Sequence, residues 1–137
     1  MKVICRITDI KHLSERTLEA VSKFLRIEGE VQELEREKIY DVFAVERRSD
    51  GGLFYYIIAM DVAQRIAPYP AELFAIEDPT LRDDWEIKID CVDGLQDFRL
   101  MTFEEWANDE RFFERLCDGG AEEEEMLVYW ERLLASS

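Results

Sequence analysis

Carboxylates are the side chains of this sequence most able to do chemistry. Asp83 and Asp84 adjoin Trp85, Glu86, Asp90, Asp93 and Asp97 follow closely, and Glu122, Glu123, Glu124 and Glu125 form an unbroken run. Clustered oxygen ligands can hold Ca²⁺ or Mg²⁺, and two carboxyls in unlike surroundings can divide acid and base work. A calcium loop needs the spacing D-x-[DN]-x-[DN]-G, whereas residues 90–94 read Asp-Cys-Val-Asp-Gly. No pattern singles out an acid–base pair. The single histidine, His12, stands beside Lys11 without a companion motif for a metal site or for a Ser-His or Cys-His nucleophile. Gly51-Gly52 and Gly119-Gly120 are not followed by Lys-Ser/Thr, so there is no phosphate-cradling loop. These residues describe a non-enzyme with no catalytic, cofactor-binding or metal-binding set.

What remains for the carboxylates is recognition. The chain has 17 Lys and Arg against 32 Asp and Glu, a formal net charge of -15. Residues 1–70 carry 11 basic and 12 acidic side chains; residues 71–137 carry 6 and 20, a net of -14. Such a field repels nucleic-acid backbones and anionic lipid and attracts basic partners. In the first turn of a helix, negative charge is favoured by the helix dipole. Four neighbouring glutamates also repel one another, so Glu122 to Glu125 read equally as a solvated helix start and as a partner-facing patch. The exposed face of the Trp85 strand reads the same way. Asp83, Asp84, Glu86, Asp90, Asp93, Glu122, Glu123, Glu124 and Glu125 are therefore the candidate partner-binding residues. Trp85, Tyr69 and Tyr129 are candidate aromatic anchors wherever they are exposed.

The elements that must position these groups follow from periodicity. Hydrophobic residues make up 47% of the 137, enough for one domain with a sizeable core. No apolar run nears the roughly 20 residues that span a bilayer, and Arg6 and Asp9 interrupt the N-terminal stretch, so it is not a secretory signal. Cys5, Cys91 and Cys117 lack C-x-x-C spacing and read as reduced core residues of a cytoplasmic protein, although spacing does not exclude a disulfide between two of them.

Residues 2–10 predict a strand with Val3, Cys5 and Ile7 on one side. Leu13 to Leu25 predicts a helix capped by Ser14, with Leu18, Val21, Phe24 and Leu25 on one face. Glu28 to Lys38 reads as a loop. Ile39–Arg47 and Leu53–Met60 predict a hairpin turning through residues 49–52. The second strand is apolar on both faces and belongs in the sheet interior, with Tyr55 and Tyr56 pointing opposite ways. Pro68-Tyr69-Pro70 reads as a turn with Tyr69 extended. Ala71–Ile76 fits either a short helical turn or an edge strand.

Trp85, Ile87 and Ile89 alternate with Glu86, Lys88 and Asp90, the pattern of a half-exposed strand. Asp93-Gly94 predicts a turn and Phe98–Met101 a further strand. Thr102 reads as the cap of a helix with Glu105 as its capping-box partner; Phe103, Trp106, Phe113 and Cys117 share its face and Gly119 ends it. A last helix over 122–134 buries Met126, Leu127, Trp130 and Leu133. The class is α+β: over residues 1–137, an antiparallel sheet carries an N-terminal helix and two packed C-terminal helices.

The order Tyr40-x-Val42-x-Ala44, a glycine hairpin, Tyr55-Tyr56, Tyr69-Pro70, Phe74-x-Ile76-x-Asp78 and Trp85 covers about residues 39–90. It resembles the immunity proteins of bacterial polymorphic and contact-dependent toxin systems. The resemblance implies stoichiometric binding to a toxin's C-terminal domain, with no catalytic residues to carry over. A carboxylate-rich surface suits a basic toxin cleft. Two other readings share the size and acidity. An acidic secretion chaperone would be a homodimer with apolar grooves for unfolded peptide. A DNA-mimicking nuclease inhibitor would carry two rows of carboxylates at phosphate-like spacing. The immunity reading allows either a monomer or a homodimer.

Overall fold

In a computed structural model, the described residues are 1–22, 33–48, 52–59, 66–92 and 94–136. They form two antiparallel sheets. One has the order β2-β1-β6, from Ile39–Asp41, Lys2–Cys5 and Phe74–Asp78. The other has the order β5-β4-β3-β8-β7, from Ile66–Pro70, Gly52–Ile58, Ala44–Arg48, Leu95–Phe103 and Trp85–Val92. Helices α1 (Glu15–Ser22), α2 (Glu104–Ala107), α3 (Phe112–Cys117) and α4 (Ala121–Ala135) complete the α+β fold.

Strand β4 organises the packing. Phe54, Tyr55, Tyr56 and Ile57 are all buried, which a strand allows only when both faces are covered. Tyr55 meets Phe74 edge-on at 5.9 Å, and Phe74 in turn meets Tyr40, so one face looks toward the three-stranded sheet. Tyr56 meets Trp106 and Phe113, each at 5.0 Å, so the other face carries the C-terminal helices. The two tyrosines diverge as alternation requires.

The long strand expected over 39–47 is two strands in different sheets. Val42 and Phe43 are consecutive and both buried, so neither can occupy a solvent-facing position of one flat strand. The chain changes partners there: Val42 N–H donates to the Met1 carbonyl at 3.1 Å and Phe43 N–H to the Tyr56 carbonyl at 2.9 Å. The Phe43 carbonyl accepts from Thr102 Oγ1 at 2.7 Å. Thr102 is therefore a fully buried residue of β8 and not a helix cap; α2 starts two residues later, after Phe103, which makes no side-chain cap.

The helix expected through 117 breaks at Asn108-Asp109, two poor helix formers. The Asp109 carboxylate takes the Arg111 N–H at 3.0 Å and pairs with Arg115, favouring a fresh start at α3. The restart buries Phe112 and Leu116 and leaves Cys117 exposed. Cys91 is exposed too, so only Cys5 is the core thiol expected; all three are free. Gly119 stops α3 as anticipated: at φ +84° it donates to the Leu116 carbonyl, while Gly120 donates to Arg115, a Schellman ending.

Pro68-Tyr69-Pro70 is not a turn but part of edge strand β5, with Tyr69 opposite Tyr55. Proline is tolerated there because an edge strand can direct its missing donor away from the ladder. Residues 71–76 use both expected forms, a 3₁₀ turn over Ala71–Leu73 and then β6. Strand β1 ends at Cys5, and Asp9 caps a 3₁₀ turn over Ile10–His12 that leaves His12 exposed. Phe24 and Leu25, and the turn at residues 49–51, lie outside the described residues.

Ser14 does begin α1, its Oγ accepting from Thr17 N–H at 3.3 Å. Glu72 reinforces that start by accepting from Ser14 N–H, Ser14 Oγ and Thr17 Oγ1 at 2.8–2.9 Å. Burial pushes the Glu72 carboxyl upward, but these donors outweigh it and hold it below the ordinary glutamate value of 4.5. Its contribution is then present above that value and lost as pH falls through the lowered one.

Glu72→Gln should cost about 1 kcal/mol of unfolding free energy at neutral pH, with the gap to wild type closing below pH 4.5; a gap independent of pH would contradict the clamp. Thr102→Val leaves the Phe43 carbonyl without its donor and should cost about 1–3 kcal/mol in denaturant titration. A neutral result would return Thr102 to a dispensable position.

Candidate partner-binding surface

Two sets of the acidic candidates lie at opposite ends of α4, while Glu86 and Asp90 are strung along β7. Glu122 to Glu125 lie in its first turns. Asp83 and Asp84 line a pocket of about 440 Å³ whose wall includes Leu134, near the helix's other end. Leu134 lies eleven positions beyond Glu123, about 16 Å along the helix. The single acidic surface considered from sequence is thus divided.

Pairing decides which of these charges is available. Asp84 is held by Arg82 through two contacts of 2.9 and 3.2 Å. Asp90 pairs with Arg99 at 3.3 Å. In the same pocket Lys2 pairs with Asp41, and the Thr80 N–H donates to Asp78, holding that carboxyl below its usual range. Asp83 and Glu86 make no ion pair among the described residues, and Asp93 lies outside them.

Glu123 corrects the expectation most sharply. It is 7% exposed and accepts from Arg115 Nε at 3.1 Å, joining α3 to α4. Gly120 makes room for it: a Cβ there would sit 2.5 Å from Glu123 Oε1 and 3.0 Å from the Arg115 carbonyl oxygen. Glu123 belongs to the inward stripe with Leu127, Trp130 and Leu134. Met126 and Leu133, expected inside, are half-buried at its margin.

Glu122, Glu124 and Glu125 remain exposed and without an ion pair among the described residues. Glu122, Glu125 and Tyr129 recur at helical spacing and share the outward face. Tyr129 is 60% exposed, whereas Trp85 and Tyr69 are buried, which leaves Tyr129 as the available anchor among the three considered. The helix presenting this stripe is fixed by Trp130, stacked on Phe103 at 4.5 Å with 4° between ring planes.

Strand β7 reverses the expected faces. Trp85 is buried, but Ile87 and Ile89 are 55% and 61% exposed, while Glu86 and Lys88 are half-buried. Alternation in sequence reveals two faces; it does not reveal that the apolar one lies beyond the covered part of the sheet.

A second cavity, about 250 Å³, is bordered by Glu46, Tyr56, Arg99, Trp106 and Phe113. Two of its polar groups are joined, Glu46 accepting from the Tyr56 hydroxyl at 3.1 Å and also from Arg48 Nε at 2.6 Å. Burial, then the Glu46 charge, pushes the Tyr56 phenol far above its ordinary value, so it stays protonated. Among the described residues no three His, Cys, Asp or Glu side chains gather to hold a metal ion. No described helix is long and apolar enough to cross a membrane. Comparison with protein-family models, with curated proteins and with solved structures finds no match.

The division of roles within the glutamate run is measurable. Glu123→Ala leaves Arg115 without its inner partner and should cost about 1–3 kcal/mol in thermal or chemical unfolding. Glu125→Ala, at an exposed position, should stay within about 0.5 kcal/mol of wild type. Equal effects would contradict the inward assignment of Glu123.

Proposed function

We propose that this chain is a non-enzymatic immunity protein that binds and neutralises a toxin domain with a basic active-site surface in the cytoplasm of the producing bacterium. The outward stripe of α4 carries this reading. Its carboxylates at 122 and 125 have no cationic partner of their own among the described residues, and an exposed tyrosine lies one turn beyond. Unneutralised carboxylates speed encounter with a basic cleft and exclude its anionic substrate. A tyrosine on a well-packed helix can supply an anchor at little further entropic cost. The net of -14 over residues 71–137 adds a long-range field of the same sign.

The experiment pairs this chain with the C-terminal domain of any secreted protein whose gene is found to adjoin its own. Co-expression should protect cells from that domain, and light scattering should show a stoichiometric complex. Unprotected cells together with no complex at micromolar concentrations would contradict the reading. Within the complex, Glu122→Lys with Glu125→Lys should slow association about tenfold at low salt and flatten its salt dependence. Tyr129→Ala should weaken binding by about 2 kcal/mol, mainly through faster dissociation.

A further inference from the structure

Strand β7 is one of the two edges of the five-stranded sheet, β5 with its two prolines being the other: β8 pairs with one side of β7, and no described strand pairs with the other. The ladder is irregular between Lys88 and Ile89, where Lys88 faces Leu100 and Ile89 faces Phe98; the additional residue, Arg99, is on β8. The eight residues of β7 therefore run without an insertion. An edge of this length offers a continuous row of backbone donors and acceptors to another strand. Its outer apolar face, Ile87 and Ile89 with exposed Cys91, has no cover of comparable size in the described chain.

We infer that β7 pairs antiparallel with β7 of a second copy, joining the two five-stranded sheets into one of ten strands. Charge identifies the occupant. The molecule as a whole is strongly acidic, but along the middle of this edge Lys88 stands between Glu86 and Asp90, and the ion pairs Arg47–Asp97 and Arg99–Asp90 neutralise two carboxylates. Internal pairing at this strip thus weakens both the repulsion between two acidic molecules and the attraction of a basic partner. Lys88 makes no ion pair among the described residues.

Symmetry then selects the register. About a two-fold axis normal to the sheet, facing residue numbers add to a constant even number, because antiparallel neighbours share a face. Two registers use seven residues of the strand. With Lys88 on the axis, Lys88 faces its own copy and Glu86 faces Asp90 twice, so every charged contact is repulsive. With Ile89 on the axis, Ile89 faces Ile89, Ile87 faces Cys91, and Lys88 faces Asp90 on both sides. Both registers set isoleucines against apolar side chains, the first pairing Ile87 with Ile89; only the second gives Lys88 an opposite charge, and it is the one inferred.

Sedimentation velocity across a wide concentration range tests this with charge reversals at Lys88 and Asp90. Wild type should form a dimer. Lys88→Glu and Asp90→Lys should each raise the dimer dissociation constant about tenfold or more, and the double variant should recover to within about threefold of wild type. Because the double variant, like Asp90→Lys, lacks the internal pair with Arg99, recovery reports the contact between copies. A wild-type monomer throughout would overturn the inference, as would a dimer indifferent to both reversals or a double variant no better than the singles. A monomer that captures an extended peptide along β7 would also overturn it, assigning the edge to a foreign strand. Circular dichroism of each variant confirms that the fold is retained.

Discussion

The stack of Phe103 on Trp130 is the contact on which the rest of the arrangement depends. Phe103 is the last residue of β8 and is followed at once by α2, so ring contact there fixes how the C-terminal helices leave the sheet. Trp106 continues the assembly, lying against Phe112 and Phe113 and receiving the edge of Tyr56. Aromatic pairs of this kind add about 0.5–1.5 kcal/mol each beyond the area they bury. The inward stripe of α4 includes a glutamate, so its apolar hold rests on Leu127, Trp130 and Leu134. With that stripe committed, Glu122, Glu125 and Tyr129 have only the outward face to occupy.

The same geometry sorts the acidic excess into two kinds of charge. Asp84, Asp90, Asp97, Asp109 and Glu123 are tied to arginines of the same chain, and their fields are largely cancelled at short range. The first turns of α4 carry charge that is not cancelled in this way. A net of -15 therefore says less about where a basic partner is drawn than do the few carboxylates left over after internal pairing.

Elements with strong local signals were legible in the sequence. Strand β4 was marked by apolar side chains on both faces, Ser14 by its capping position, and Gly119 by the left-handed conformation a helix ending needs. The β7–β8 turn was marked by Gly94, which adopts φ +77° between paired Val92 and Leu95. Features set by distant partners were not legible. Thr102 looked like a cap because its neighbours suit one, yet the Phe43 carbonyl, 59 positions away, claims its hydroxyl. Glu123 was indistinguishable from its neighbours until helical phase set it against Arg115. Ile87 and Ile89 looked like core because burial depends on what lies opposite, and periodicity carries no record of that.

Of the candidate surface, Glu122, Glu124, Glu125 and Tyr129 were each visible from residue type, but their separation from Asp83 and Asp84 by the length of α4 was not. The most direct test of their role is hydroxyl-radical footprinting of Tyr129, read by mass spectrometry, in the free chain and bound to the toxin domain. The account predicts that labelling of Tyr129 falls severalfold on binding. Unchanged labelling within a stoichiometric complex would place the partner elsewhere and remove the α4 stripe from the mechanism.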